Sequence, residues 1–279
     1  MLRRWCISLA TLGLAAGAAV AAPAAGGALA APHPATVTAT RVITHGSIRN
    51  GGVAVHLSRP GAPLSAQSGI RRESTTSTNW SGYAADGGTY TSVSAKWKEP
   101  TGSCSGSGTK YSSFWVGLDG YSSQSVEQTG TDTDCSGGRP QYYGWYEMYP
   151  NPSYSFGHSI SAGDTINASV VYQGSNSYKL TLSDTTKGWS VNTTKTLSGA
   201  PRSSAEVIIE APCCTNSGGP LPLADFGTVN FSNSLVNGSA IGNSSPVEIT
   251  MVDSSGQDKD TVSSLSGGEN FSATWKRAN

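Results

Sequence analysis

Histidine is scarce in this chain of 279 residues: there are four, and only His158 lies beyond residue 73. A lone histidine without a GxSxG elbow gives no support for a Ser-His-Asp triad, so we expect a structural or surface role for it. Without an HExxH motif it cannot build the usual zinc hydrolase site either, and no phosphate loop or GxGxxG fingerprint opens a helix. We therefore expect no metal and no cofactor, and carboxylates and amides remain as the candidate catalytic groups.

Charged residues are also few, at 13% of the chain, and they are unevenly divided. Before Glu73 there are seven Arg and no acidic residue; from Glu73 onward, eleven basic and eighteen acidic residues give a net charge of −7. A basic leader on an acidic body predicts a cationic pro-segment that docks on an anionic groove. A disordered basic linker is the alternative. Since the body lacks a basic run, no nucleic-acid partner is expected.

The N-terminal residues have the organisation of an export signal. Arg3 and Arg4 precede an apolar run and then small residues, which predicts a signal peptide over residues 1–22, with a second possible cleavage site up to about residue 31. No later segment is long and apolar enough to span a membrane. We therefore expect a secreted protein with no membrane attachment once the signal is removed. A monomer is the default expectation for such a protein. Residues 32–74 then form a basic pro-region, and residues 75–279 form the catalytic domain.

Four cysteines remain once the signal peptide is removed, and four cysteines allow three disulfide pairings. The simplest pairing joins Cys104 to Cys135 and leaves the adjacent Cys213 and Cys214 as a vicinal bridge. Free or cross-paired thiols are the alternative. The spacing lacks the paired CxxC units of a zinc site.

Beyond Asn79 the chain consists of short runs of alternating β-formers separated by Gly, Ser, Asn and Asp. Examples are YTSVSAKWKEP, TINASVVYQ, YKLTLSD and NFSATWKR. Runs of this length, without a period of 3.6 residues, predict an all-β antiparallel sandwich or barrel.

The most unusual run is QYYGWYEMYP, from Gln141 to Pro150. Alternate residues of a strand point to the same face, which places Tyr143, Trp145, Glu147 and Tyr149 together. Three aromatic rings around one carboxylate suggest the floor of a binding groove. An ordinary sandwich strand with its Glu at a solvated edge is the alternative, because aromatic residues favour strands in any case.

Two further runs carry candidate acid–base groups. In Glu206-Val-Ile-Ile-Glu210 both glutamates share a face, and a carboxylate after apolar residues can be desolvated, which raises its pKa. A Glu at the wet end of a strand is the alternative. In SVEQTG, Gln128 stands before a predicted glycine turn, and its amide could hydrogen-bond a developing oxyanion. In FWVGLDG, Asp119 is expected in a tight turn.

Taken in order, NWSGYAA, FWVGLDG, EQTG, YYGWYEMYP and AEVIIEAP resemble the glutamic peptidase family, the eqolisins, over about residues 79–279. The resemblance implies a sandwich of two large curved sheets, a concanavalin-like jelly roll, with substrate lying across a concave groove. It implies polypeptide substrates, an acidic pH optimum and a pro-segment that inhibits the enzyme.

The resemblance also assigns roles. Gln128 and Glu210 match the catalytic pair, and Glu147 matches a carboxylate that lines the groove. The other positions expected to bind or support substrate are Trp80, Trp115, Asp119, Thr129, Tyr143 and Trp145. The chain departs from the fungal pattern after Glu210, where Ala211-Pro212 and two cysteines replace a further acid, and we expect a bacterial member. A glycoside hydrolase that uses Glu147 and Glu210, or a non-catalytic sugar- or peptide-binding module, is the alternative.

Overall fold

The fold is built almost entirely from β-strands. The computed structural model describes residues 42–43, 74–106, 108–212 and 219–279. The predicted signal peptide, most of the predicted pro-region, Cys213 and Cys214 lie outside these ranges. Within them there is no α-helix, and no helix could cross a membrane. Ile241–Ser244 forms one 3-10 turn.

The seventeen strands of the described residues are numbered in chain order. They are β1 Val42–Ile43, β2 Ser74–Ser77, β3 Trp80–Asp86, β4 Ser92–Lys98, β5 Ser113–Leu118, β6 Val126–Ser136, β7 Arg139–Tyr149, β8 Ser153–Ser159, β9 Thr165–Gly174, β10 Ser177–Asp184, β11 Trp189–Thr196, β12 Ser204–Glu210, β13 Thr228–Val236, β14 Ser239–Ala240, β15 Val247–Met251, β16 Asp260–Val262 and β17 Phe271–Trp275.

These strands form two sheets. The first has the order β1-β8-β7-β6-β5-β12-β3-β15-β2, and the second has the order β11-β10-β9-β4-β13-β17-β16, with β14 paired to β13. Neighbours run antiparallel except β15 and β2, which are parallel. The predicted all-β antiparallel sandwich is confirmed.

Alternation along the strands separates two apolar clusters. In β12, Val207 and Ile209 pack into the core between the sheets, whereas Ile208 joins a smaller cluster on the opposite face of the first sheet. In β7, Tyr146 packs against the core and Trp145 belongs to the smaller cluster. The period of two in the sequence therefore assigned these side chains to the correct faces. We call the face that carries the smaller cluster the outer face of the first sheet.

A disulfide ties the loop after β4 to β6. Cys104 and Cys135 are bonded across 31 residues of sequence, as the simplest of the predicted pairings requires. Cys135 is buried, so the bridge anchors the loop to the end of the long β6–β7 hairpin.

Removing this bridge is expected to lower the free energy of unfolding by about 3 to 4 kcal/mol, because a loop of this size restricts the unfolded chain. The variant Cys104→Ser/Cys135→Ser should show this loss in urea titrations at acid pH, compared with the unaltered chain. An unchanged midpoint and slope would show that the bridge adds no stability.

Candidate active site

The candidate active site lies on the outer face of the first sheet, where β12, β5, β6 and β7 run side by side. Antiparallel register sets large side chains opposite glycines: Trp115 faces Gly130, and Gln128 faces Gly117. On its other side Gln128 lies directly opposite Glu147 of β7. Register alone therefore brings the amide and the carboxylate of two separate motifs together.

Gly130 is central to β6 and does not begin a turn, so the glycine turn predicted after Gln128 is wrong. A Cβ at Gly130 would lie 2.1 Å from the carbonyl oxygen of Phe114 and 2.6 Å from the Trp115 side chain. Residue 130 must be a glycine because β5 lies too close to leave room for a Cβ atom. Gly117 leaves room for the Trp115 ring beside Gln128, since a Cβ there would lie 2.8 Å from the ring and 3.3 Å from the Gln128 side chain.

Glu210 ends β12 and is 1% exposed. Its Oε2 accepts a hydrogen bond of 2.9 Å from the Trp115 indole nitrogen. Its Oε1 accepts one of 3.4 Å from Nδ2 of Asn79, just before β3. Trp80 packs edge-on against Trp115, with ring centroids 5.0 Å apart. The alternative of a Glu at a solvated strand end does not hold for this residue.

Burial acts to raise the pKa of Glu210, whereas the N–H groups of Trp115, Trp80 and Asn79 act to lower it. The Trp80 indole nitrogen makes no hydrogen bond of normal geometry within the described residues. A carboxylate with a raised pKa is a stronger base than a solvated one. Glu210 is therefore suited to carry a proton during a reaction.

Gln128 and Glu147 form the second part of the site. Nε2 of Gln128 donates a hydrogen bond of 2.6 Å to Oε2 of Glu147, and both side chains are 1% exposed. Burial raises the pKa of Glu147 well above its usual range, and the negative charge of Glu210 raises it further. The two glutamates thus interact electrostatically on one face.

Asp132 joins the aromatic residues of β7 to this site, a role that the motifs of the sequence did not reveal. It accepts hydrogen bonds of 2.6 Å from the Trp145 indole nitrogen and 2.6 Å from the Tyr143 hydroxyl. Asp132 shares its face with Gln128, since the two are four residues apart on β6. Counting that alternation from Gln128 would have found it.

Two residues predicted to bind substrate do not line the outer face. Thr129 follows Gln128 on β6 and so points to the opposite face, where its hydroxyl donates to the Trp145 carbonyl oxygen at 2.7 Å. Asp119 has φ +67° in the expected turn and is fully buried. Its carboxylate accepts hydrogen bonds of 2.8 Å from the backbone nitrogens of Arg202 and Ser203, so it supports a loop.

Asn79 is also the first residue of an Asn-Trp-Ser tripeptide, a glycosylation signal. Its side chain is 4% exposed and points to Glu210. Because the side chain is buried, this amide is not accessible for glycosylation in the folded protein. Its hydrogen bond to Glu210 places it in the candidate active site.

The described residues provide no alternative catalytic centre of the usual kinds. His158 is exposed on β8 and stacks on Trp189 with ring centroids 4.8 Å apart. No group of three or more His, Cys, Asp and Glu is arranged to hold a metal ion in the part of the chain that is described. Fold and site together define a β-sandwich protein whose available chemistry lies in buried glutamates and a glutamine amide.

Comparison with known proteins identifies the class. A profile of the Peptidase A4 family matches residues 78–275, and the chain belongs to this family, the glutamic peptidases or eqolisins. Aspergillopepsin-2 of Aspergillus niger is 32% identical over 230 residues, which cover 71% of this chain and 79% of that protein. Scytalidopepsin B of Scytalidium lignicola is 35% identical over 164 residues, 56% of this chain and 61% of that protein.

Solved structures show the same fold. Scytalido-glutamic peptidase with a transition-state analogue inhibitor superposes with a TM-score of 0.63 at 29% identity, covering 71% of this chain and 98% of that one. Aspergilloglutamic peptidase from Aspergillus niger superposes with a TM-score of 0.54 at 29% identity, covering 60% and 99%. These relatives are fungal, and the bacterial origin expected for this chain stays a prediction.

Proposed function

We propose that this protein is a secreted endopeptidase, active in acid, in which Glu210 activates water and Gln128 stabilises the tetrahedral intermediate. The observation that carries the proposal is the buried Glu210 carboxylate, held by the Trp115 and Asn79 donors on the same face as Gln128. Direct attack of water on a peptide bond requires a general base and a donor to the oxyanion, and a fixed carboxylate and a fixed amide can fill these two roles.

The reaction follows from these roles. Ionised Glu210 takes a proton from water as the water oxygen bonds to the scissile carbonyl carbon. The carbonyl oxygen becomes an oxyanion and accepts a hydrogen bond from Nε2 of Gln128. Protonated Glu210 then gives its proton to the leaving nitrogen as the C–N bond breaks. One carboxylate serves as base and then as acid, and it ends the cycle ionised.

Hydrogen-bond donors support the ionised form of Glu210. An indole N–H can only donate, so Trp115 requires an acceptor at Oε2. The interaction between Glu147 and Glu210 favours one negative charge on the pair over two, because like charges in a buried site repel. Two such groups titrate as a pair, and the singly charged form exists between their two apparent pKa values.

The predicted pro-region, residues 32–74, is proposed to inhibit the unprocessed enzyme. Support comes from the charge division of the sequence and from β1, Val42–Ile43, which pairs with Tyr154 and Ser153 of β8 at the edge of the first sheet. Strand addition of this kind is a common mode of peptide docking. Part of the predicted pro-region thus contacts the sheet that carries Gln128 and Glu147.

Replacement of Gln128 by Ala is expected to lower kcat about 10²- to 10³-fold, the usual cost of losing one oxyanion donor. Proteolysis should be assayed from pH 2 to 8 with the matured enzyme, where wild-type activity is expected to peak in acid. Gln124→Ala, an exposed glutamine before the same strand, is the matched control and should cleave normally.

Two results would contradict the proposal: wild-type turnover by Gln128→Ala, or no cleavage by the wild type at any pH with its leader removed. Polysaccharide hydrolysis in the second case would favour the glycosidase alternative, which has no need for Gln128. Binding without hydrolysis would favour the non-catalytic module.

A further inference from the structure

The Gln128 amide has one satisfied end and one unsatisfied end. Nε2 donates to Glu147, but Oε1 is buried and has no hydrogen-bond partner within the described residues. A buried carbonyl oxygen without a partner costs about 1 to 3 kcal/mol. Because the two ends of an amide have nearly the same shape, a half-turn of the group fits the same space and exchanges them.

The hydrogen-bond partners of the two glutamates differ in whether they can accept a hydrogen bond as well as donate one. Glu210 accepts from the Trp115 indole, which can only donate, and from Nδ2 of Asn79, whose Oδ1 is already occupied by the Ser77 hydroxyl at 3.2 Å. Glu147 contacts the Gln128 amide, which can donate from Nε2 or accept at Oε1. A proton shared by this pair is therefore better placed on Glu147, because Trp115 and Asn79 are both satisfied by an ionised Glu210.

We propose that Glu147 is a positioning residue which, as a neutral carboxylic acid, donates a hydrogen bond to Oε1 of Gln128 and turns Nε2 toward the substrate. In this arrangement the unsatisfied Oε1 gains a partner. Both N–H groups of Gln128 are then released from Glu147, and one can meet the oxyanion. The inference rests on the proposed function, since it concerns how the Gln128 amide is oriented for that reaction.

The protonation state of Glu147 would then decide which end of the amide faces the substrate. Once ionised, Glu147 accepts from Nε2 and leaves Oε1 toward the substrate, where a carbonyl oxygen repels an oxyanion. The charged groups that act on Glu147 are Glu210 and Asp132, and both are acidic, so they favour its neutral form. Tyr143 and Tyr149 are its ionisable neighbours on the same face of β7. We assign the fall of activity on the alkaline side of the pH profile, its alkaline limb, to the ionisation of Glu147.

The test compares pH profiles of kcat and KM for the matured wild type, Glu147→Gln and Glu147→Leu. The Gln variant cannot ionise, so its alkaline limb is expected to move up by at least about one pH unit, with acid activity within about tenfold of wild type. The Leu variant cannot hold the amide, so kcat should fall about 10²-fold while KM changes less than about threefold. Rates are compared only where near-UV circular dichroism shows both proteins folded.

The inference is overturned if the alkaline limb of Glu147→Gln coincides with that of the wild type, or if Glu147→Leu keeps full kcat. A purely structural role for Glu147 would change stability without moving the limb. Failure here is distinct from failure of the proposed function, which would appear as wild-type activity in variants of Gln128 or Glu210.

Discussion

Glu210→Gln is expected to reduce peptide hydrolysis at least about 10³-fold, because the amide can neither take a proton from water nor return one to the leaving nitrogen. The substitution preserves volume, and the new Oε1 can still accept from Trp115. Folding and substrate binding should therefore survive, and the loss should fall on kcat. The measurement is kcat and KM for cleavage of a quenched fluorescent peptide at the acid optimum.

A matched control for this experiment is Glu99→Gln, which also replaces a glutamate that is 1% exposed. Glu99 accepts hydrogen bonds from Thr133 at 2.6 Å and from the Trp97 indole at 3.4 Å. Trp97 belongs to the core between the sheets, so Glu99 is separated from the outer face. Its variant should keep activity, and wild-type turnover by Glu210→Gln would refute the mechanism.

Stability is expected to fall as the pH rises from about 4 to about 9, because two buried glutamates hold their protons in the folded protein. Burial raises the pKa of Glu99 to about 8, with three hydrogen bonds opposing the rise. Burial followed by the charge of Asp119 raises the pKa of Glu127 to about 9. Neither carboxylate oxygen of Glu127 makes a hydrogen bond of normal geometry to a described residue, which suits a neutral acid in the core.

The sign of this change in the free energy of unfolding follows from the linkage between protonation and folding. In the unfolded chain both groups ionise near pH 4.3, and in the folded protein they hold their protons to higher pH. Their neutral forms thus contribute full stability below the unfolded pKa, and that stability is lost progressively as the pH rises from there to about 8 for Glu99 and about 9 for Glu127. At about 1.4 kcal/mol for each pH unit between the two states, Glu99 alone accounts for a loss on the order of 5 kcal/mol.

Thermal unfolding followed from pH 3 to 9 should show this loss, with Tm highest in acid. Glu99→Gln removes one ionisation and should flatten the fall between pH 5 and 8. Glu269→Gln, at a half-buried loop position, should leave the curve unchanged. A Tm that is constant from pH 4 to 9 in the unaltered protein would contradict the prediction. Protein that is stable in acid and labile above neutrality fits an enzyme that works in acid.

The alternation of residue types determined which side chains share a face. In QYYGWYEMYP and EVIIE a period of two is enough, because successive residues of a strand point to opposite sides. This placed Trp145 with Glu147, and Glu210 with Ile208, before any fold was known. The same rule applied to EQTG would have turned Thr129 away from Gln128. The resemblance to the family had grouped them.

The sequence could not decide where Gly130 lies, because glycine occurs both in turns and at close contacts between strands. It lies within β6 because β5 carries Trp115 directly opposite, and only a residue without a Cβ fits there. Local propensity predicts a turn at this position, and packing between neighbouring strands overrides it.

By itself the sequence determined the fold class, the family and the residue types of the site, since these depend on short periodic runs and ordered motifs. Only the tertiary structure decided the partners. Asn79 reaches Glu210 across 131 residues, and Glu147 reaches Gln128 through the register of the β6–β7 hairpin. Burial, the pKa values and the orientation of the amide depend on such contacts. They arise when distant strands pair and exclude water, which no local pattern encodes.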